Sequence, residues 1–407
     1  MASSSKKIFT RTILLVSFVS LFTDIASEML YPIMPVYLRS IGFSVMLIGI
    51  LEGIAEATAG LSKGYFGNLS DRWQKRVPFI RAGYALSAFS KPMMAVVLYP
   101  VWIFFARTLD RLGKGIRTSA RDALLSDETT PGNKGKVFGF HRSMDTVGAA
   151  LGPALALLFL VFFPGQYRWL FLIAFLPGLI AVLLTFLLKE KKRNPDYPVK
   201  GSTGQKVGFF TYFGYWKKAT PAFRYLVAGL LFFSLMNSSD AFLLLALKNR
   251  QVSDTGMIGF YIFYNLVYAL FSFPLGVVAD RIGLKTVLTG GLVLFAAVYF
   301  FMGFASSILV FGILFFLYGI YAAATEGISK ALITNISDKD DTATAIGFYT
   351  SFASICTLAA SSLAGVLWFT IGPKPMFMIS GAGTFLAVLY LLFVFRKKVP
   401  GKRGQDQ

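Results

Sequence analysis

Apolar residues run along this chain in long blocks separated by short polar joints. A helix crosses a bilayer with about 20 mostly apolar residues. Twelve blocks of that order can be drawn, over 12–38, 44–66, 78–98, 101–119, 137–163, 167–188, 222–247, 255–278, 285–304, 307–335, 343–369 and 373–395. Strands with alternating polar inner faces, the mark of a membrane β-barrel, are absent from the pattern. Little polar sequence remains for a soluble domain. The pattern predicts an all-α integral membrane protein with 12 transmembrane helices.

Composition agrees. Of 407 residues 55% are hydrophobic and 42 are Phe, and the mean hydropathy is +0.63. The net charge of +20 would suit a nucleic-acid partner, but its placement argues for membrane topology instead. Lys6, Lys7 and Arg11 precede the first block, and Arg72, Lys75 and Arg76 follow the second. The connection from Lys189 to Arg224 is strongly basic, as is the tail with Arg396, Lys397, Lys398, Lys402 and Arg403. The opposite joints hold only Arg39, Arg168, Lys248, Arg250 and Lys374. Positive charge stays in the cytoplasm, so both termini are expected there. The expected partners are the lipid bilayer and a small-molecule substrate, with no nucleic acid. Cys356 is the single cysteine and His141 the single histidine, which predicts neither an internal disulfide nor a metal site. The N-terminus lacks a cleavable signal pattern.

The longest polar connection, EKKRNPDYPVKGSTGQK, lies between blocks six and seven and reads as a cytoplasmic linker. It predicts a six-helix bundle over 1–188, a linker over 189–221, and a second bundle with a basic tail over 222–407. The halves repeat. GNLSDRWQKR starts at Gly67 and GVVADRIGLK at Gly276, so Asp71 and Asp280 stand 209 residues apart. KVFGF at 136–140 matches TAIGF at 344–348, a shift of 208. Repeated six-span halves are typical of transporters, with the substrate site between them.

The G-x-x-x-D-R signature followed by basic residues, after blocks two and eight, resembles that of the major facilitator superfamily. Gln74 stands where a Gly is usual, and Leu284 where a basic residue is usual. The resemblance implies a fold of two pseudo-symmetric halves. It also implies a conformational latch made by Gly67, Asp71, Arg72, Gly276, Asp280 and Arg281. A carboxylate favours a helix N-terminus and a cation a C-terminus, which suits such a latch. Asp24 followed by Pro32 and Pro35 in YPIMP resembles the first helix of twelve-span drug:proton antiporters. Gly148-x-x-x-Gly152-Pro153 resembles the antiporter motif of block five, although Ala154 and Leu155 follow where paired glycines are usual. Those small residues suggest close helix packing. The resemblance implies export over import.

Ionisable residues inside spans cost roughly 2.5–3.5 kcal/mol each on insertion scales, so they should be paired or line a wet cavity. Asp24 and Glu28 share one face of block one, and Glu52 and Glu56 one face of block two. Arg107 and Arg111 share a face of block four, with Asp110 and Lys114 on a neighbouring one. At about 1.5 Å per residue, Glu52 falls level with Glu28 and Glu56 with Asp24. Arg107 then meets the outer layer and Arg111 the middle one. Lys63 and Lys91 fall toward membrane ends, where they could snorkel. The second half offers Asn237, Asp240, Asn265 and an i, i+4 pair, Glu326 and Lys330.

Three roles are open for this polar core: structural ion pairs, proton coupling, and substrate contact. The residues assigned to coupling are Asp24, Glu28, Glu52, Glu56 and Arg111. Those assigned to substrate are Arg107, Asn237, Asp240, Asn265 and Glu326. The expected function is a monomeric secondary transporter in the cell membrane, the inner membrane if the source is bacterial, exporting a small polar or ionic organic compound. The proton gradient would supply the energy with no cofactor. The alternatives are a proton-coupled importer of an organic anion, or a lipid flippase on the same fold. Neither a phosphate-binding loop nor a nucleophile–His pairing is visible, so an enzyme is not expected.

Overall fold

The computed structural model describes residues 8–31, 33–97, 99–190 and 208–396. Lys6, Lys7, Pro32, the linker stretch 191–207 and the tail 397–407 lie outside the described residues. Those described are helical, without strands. In order the α-helices are α1 Arg11–Glu28, α2 Met34–Ser40, α3 Val45–Trp73, α4 Val77–Val96, α5 Pro100–Asp127, α6 Lys134–Phe162, α7 Tyr167–Thr185 and the short α8 Tyr215–Lys218. Then follow α9 Pro221–Ser234, α10 Ala241–Lys248, α11 Asp254–Ile282, α12 Leu284–Met302, α13 Ile308–Ile336, α14 Thr342–Ile371 and α15 Pro373–Arg396. By length and composition, α6, α7 and α11 to α15 are apolar enough to cross a membrane.

Local signals set the starts. Thr10, Ser44, Thr220, Ser253 and Ser307 each accept a hydrogen bond from the backbone three residues on, a cap that contributes about 1 kcal/mol. Two apolar blocks are not single helices. Block one breaks between α1 and α2, and block seven between α9 and α10. In the second break, Asn237, Ser238 and Ser239 offer side-chain bonds that compete with the helix. Ser239 Oγ accepts from Ala241 N at 3.3 Å, and Ser239 N donates to Ser361 Oγ at 3.0 Å.

Helices α1 to α7 pack among themselves, as do α9 to α15. The two groups meet chiefly where α6 crosses α11 and α3 crosses α14. These crossings are backbone to backbone. Gly67 lies against the Ala343 carbonyl, and Gly276 against that of Gly135. The glycines of the repeated KVFGF and TAIGF stretches do the same. A Cβ on Gly139 would sit 2.5 Å from Ser272 O, and one on Gly347 2.5 Å from Lys63 O. Contact fades toward the opposite end, where Gly53 and Gly259 have nothing within 4 Å. The groups are therefore closed at the end bearing the two DR loops and splayed at the other.

Both DR aspartates bind the first turn of a helix in the opposite group. Asp280 accepts from Gly135 N and Lys136 N, each at 2.8 Å, at the start of α6. Asp71 accepts from Thr344 N at 2.6 Å, Thr344 Oγ1 at 2.7 Å and Ala343 N at 3.3 Å, at the start of α14. Free N–H groups and the helix dipole favour a carboxylate there. The arginine beside Asp71 is not Arg72 but the buried Arg76, at 2.5 Å; Arg281 is exposed. Gln74 takes the left-handed conformation, φ 54°, that Gly would take more easily. Its side chain donates to Asp71 O at 2.8 Å.

Gly148 and Gly152 face α1. A Cβ on Gly148 would meet Leu21 O at 2.6 Å, and one on Gly152 would meet Met29 N at 2.7 Å. Pro153 lies inside α6 and is buried.

Gly148→Val is expected to lower the thermal unfolding temperature of the purified protein, by overpacking of about 1–3 kcal/mol or more. Asp71→Asn should destabilise more than Asp280→Asn. The first takes from buried Arg76 its nearest carboxylate, leaving Asp127 at 3.5 Å, and also weakens three hydrogen bonds to the start of α14, a loss of about 3 kcal/mol. The second weakens only bonds to backbone N–H, about 1–3 kcal/mol. Equal losses in a thermal scan would contradict this ranking.

Candidate functional site

The splayed space between the groups is lined on one side by α1, α3 and α5. Charges spaced four apart on α5 meet charges spaced four apart on α3. Arg107 Nε and Nη2 donate to the two oxygens of Glu52 at 2.8 and 2.9 Å. One turn on, Arg111 Nη2 stands 3.1 Å from Glu56 Oε1. The outer and middle layers expected from helix depth are thus present, but they join α5 to α3. Both arginine forks are engaged by the protein's own carboxylates. Arg111 Nε is buried without a hydrogen-bond partner, and Glu56 keeps 57% of its side chain exposed.

Asp110 turns away from the cavity. It receives Ser87 Oγ at 2.8 Å, Arg107 Nη1 at 3.3 Å and faces Lys91 Nζ at 3.6 Å. Lys91 therefore does not snorkel: it is 2% exposed, held by this buried carboxylate. Lys63 does not snorkel either, and donates across the group boundary to Ser354 Oγ at 3.4 Å.

Asp24 and Glu28 are left out of the ladder. Glu28 Oε2 receives only a long bond from Tyr261 OH, 3.5 Å, across the boundary from α11. Asp24 has no hydrogen bond or ion pair within 4 Å among the described residues. Lys114 is in the same condition and is exposed midway along α5. Arg111, Glu56, Glu28 and Asp24 are its charged neighbours. The carboxylates of α1 thus have basic neighbours without pairing with them: Lys114, Arg111 and Arg107 lie near Glu28, and Lys114 and Arg117 near Asp24, while the arginines of the ladder pair with α3.

The facing wall is aromatic. Asp240, at the break before α10, receives Tyr264 OH and Tyr318 OH at 2.6 Å each. Asn237 Nδ2 donates to Tyr321 OH at 3.2 Å. Asn265 is buried and bonds back to Tyr261 O at 2.9 Å. Glu326 and Lys330 do not pair with each other. Lys330 Nζ reaches Asp122 Oδ2 at 2.7 Å, and Glu326 Oε2 lies 4.0 Å from Arg142 Nη2. Both partners belong to the other group, so the intrahelical bridge is replaced by two bridges across the boundary.

These bridges belong to a second charged cluster nearer the DR-loop end. Arg121 Nη2 lies 2.9 Å from Asp122, while Arg121 Nη1 donates to Ser20 Oγ at 2.9 Å and lies 4.0 Å from Asp145. Arg142 bonds Tyr268 and lies 3.5 Å from Asp145. His141 Nε2 stands 3.7 Å from the same carboxylate, with Ser17 Oγ 3.3 Å from its Nδ1. Asp122 and Arg121 escaped the sequence reading because block four ends at 119, whereas α5 runs to Asp127. Tyr261 and Tyr264 stood out in the sequence as aromatic neighbours of the polar Asn and Ser residues, whereas Tyr318 carried no signal among so many aromatics. Among the described residues, no group of three or more His, Cys, Asp or Glu is placed to hold a metal.

The chain matches the sequence profile of the Major Facilitator Superfamily over residues 16–264 and 242–407. It is 32% identical to an uncharacterized MFS-type transporter of Methanocaldococcus jannaschii over 391 residues, 95% of each chain. It is 22% identical to a multi-drug resistance efflux pump of Streptococcus pneumoniae, over 93% of this chain and 94% of that one. The human organic anion transporter MFSD10 superposes with a TM-score of 0.76 at 18% identity, covering 94% of this chain and 99% of the other. That last likeness concerns the fold alone. The fold, the paired DR loops and this coverage agree: the chain belongs to the major facilitator superfamily and is a multi-pass membrane protein.

Proposed function

We propose that this protein is a secondary transporter working by alternating access, exporting a small polar or ionic organic compound against proton entry. Twelve spans, with α1–α2 and α9–α10 as broken first and seventh spans, form halves over 1–188 and 222–407 joined by 189–221. Both termini and the DR loops are cytoplasmic, in the cell membrane, and the protein works as a monomer. In that orientation the splayed space opens outward.

One observation carries the reading. Among the described residues, Asp24 and Lys114 stand in the space between the halves without an ion-pair partner, while Glu52, Glu56, Arg107 and Arg111 on the same wall are paired. Protonating Glu52 would break its two-pronged pair with Arg107 and leave that arginine only Asp110, at 3.3 Å. Protonating Asp24 breaks no salt bridge, so it can load and release a proton as the cavity opens and closes. Glu28 and Glu56 flank this exchange, Arg107 and Arg111 hold the wall in shape, and Asn237, Asp240, Asn265 and Glu326 face the cargo. The efflux pump among the relatives supports export. The exposed Lys114 and the free Arg111 Nε also suit an importer of an organic anion.

Cells expressing wild type and Asp24→Asn at equal membrane levels, profiled for small molecules in cytosol and medium at two external pH values, test this. A compound that leaves wild-type cells in a pH-dependent way and stays in the mutant is the expected outcome. Accumulation inside wild-type cells would establish import instead. Equal behaviour of the two strains, both unlike empty cells, would remove Asp24 from coupling. In purified protein, Glu52→Gln should lower stability by about 1–3 kcal/mol, because Arg107 loses its two-pronged carboxylate and keeps only Asp110, whereas Asp24→Asn should leave the unfolding temperature almost unchanged.

A further inference from the structure

The described part of the connection between the groups is not a polar tether. Residues 208–218 carry FFTYFGYW, folded as a 3-10 turn, Thr211–Gly214, leading into α8. The turn touches both α3 and α14, which belong to opposite groups. Tyr212 is 1% exposed. Its ring atoms Cδ2, Cε2 and Cζ lie against Gly64 of α3, where any Cβ would overlap them. The rest of the segment grips both sides. Phe209 stacks on Tyr65 of α3, with ring centres 5.1 Å apart. Phe213 meets Phe352 of α14 at 5.0 Å, and Trp216 stacks on Phe348 of α14 at 5.8 Å.

The rings sit where the groups are already closest. Gly64 N donates to Ser351 Oγ at 2.9 Å, and Ser351 Oγ donates to Gly60 O at 2.7 Å. Lys63 O accepts from Ser119 Oγ at 2.9 Å beside Gly347. If α3 and α14 part at this end, Tyr212 cannot stay on Gly64 and also keep its neighbours on α14. Its burial therefore exists only in the closed arrangement. A contact made in one state alone shifts the equilibrium toward that state by its full worth.

We propose that residues 209–216 form an aromatic strap that holds the DR-loop end shut, seated by the missing side chain of Gly64, and that must unseat for the cavity to open toward that end. This rests on the alternating-access reading. The strap acts beside the Asp71 and Asp280 contacts, through apolar burial rather than charge, so salt and pH should leave it unaffected.

The test uses the full chain in a Cys356→Ser background, spin-labelled at Lys75→Cys and Lys339→Cys, two exposed positions in opposite groups at this end. Double electron–electron resonance reads the distance between them. The strap predicts one short distance in the parent. Tyr212→Ala and, separately, Gly64→Ala should each raise a longer-distance population by about tenfold, as loss of a ring buried in one state alone requires. Tyr212→Phe should keep the parent distribution, because the ring carbons make the contact. Gly64→Ala added to Tyr212→Ala should have little further effect. Phe369→Ala deletes a ring that is 92% exposed and should change nothing. Asp71→Asn serves as the reference for opening. If it lengthens the distance while Tyr212→Ala and Gly64→Ala do not, the strap is overturned and alternating access stands. If none of the three does, both fall.

Discussion

An ionised side chain in hydrocarbon costs several kcal/mol unless another charge or a hydrogen-bond donor meets it, and the packing of α1, α3, α4, α5 and α6 follows from that cost. Arg107 and Arg111 cannot face lipid, so α5 must turn them toward α3. Glu52 and Glu56 must then turn toward α5, at the same four-residue step. Asp110 is drawn the other way, to Lys91 and Ser87 on α4. Once these pairs form, α3, α4 and α5 have no rotational freedom relative to one another. The pairs contribute little net stability, but they decide which faces the apolar surfaces present.

Against that fixed wall, the unpaired groups acquire meaning. Asp24 and Lys114 lie in each other's field but form no ion pair among the described residues, and both reach the space between the groups. The opposite wall meets them with phenols rather than cations, with Asp240 held by Tyr264 and Tyr318. The cavity thus has one wall of locked charge and one of hydrogen-bonding aromatic rings.

Closure at the DR-loop end uses different physics. Glycines let backbones touch, two aspartates cap helices of the opposite group, and bridges such as Asp122–Lys330 and aromatic packing around Tyr212 add to the seal. Each of these is made between groups, so any separation of the groups would break them together. Several modest contacts broken at once make a two-state device rather than a continuously flexible one.

The sequence alone determined the helical membrane fold and the two repeats. Apolar block length and the Asp71/Asp280 spacing depend on local composition and internal likeness, which survive without coordinates. It also placed Arg107 one level from Arg111, beside Glu52 and Glu56 respectively, because helical rise converts residue number into depth. It could not say with which helix those arginines would pair, since depth leaves rotation about each helix axis open. Nor could it foresee that Lys91 is buried, that Glu326 and Lys330 part company, or that Arg76 replaces Arg72 beside Asp71. The first two depend on partners in other helices, and the last on how the turn after α3 folds around Gln74. The breaks within blocks one and seven also stayed hidden, because hydropathy averages over the few residues where a helix unwinds. Tertiary structure decided which charges were spent on packing and which were left free, since pairing is settled by the faces that neighbouring helices present to one another.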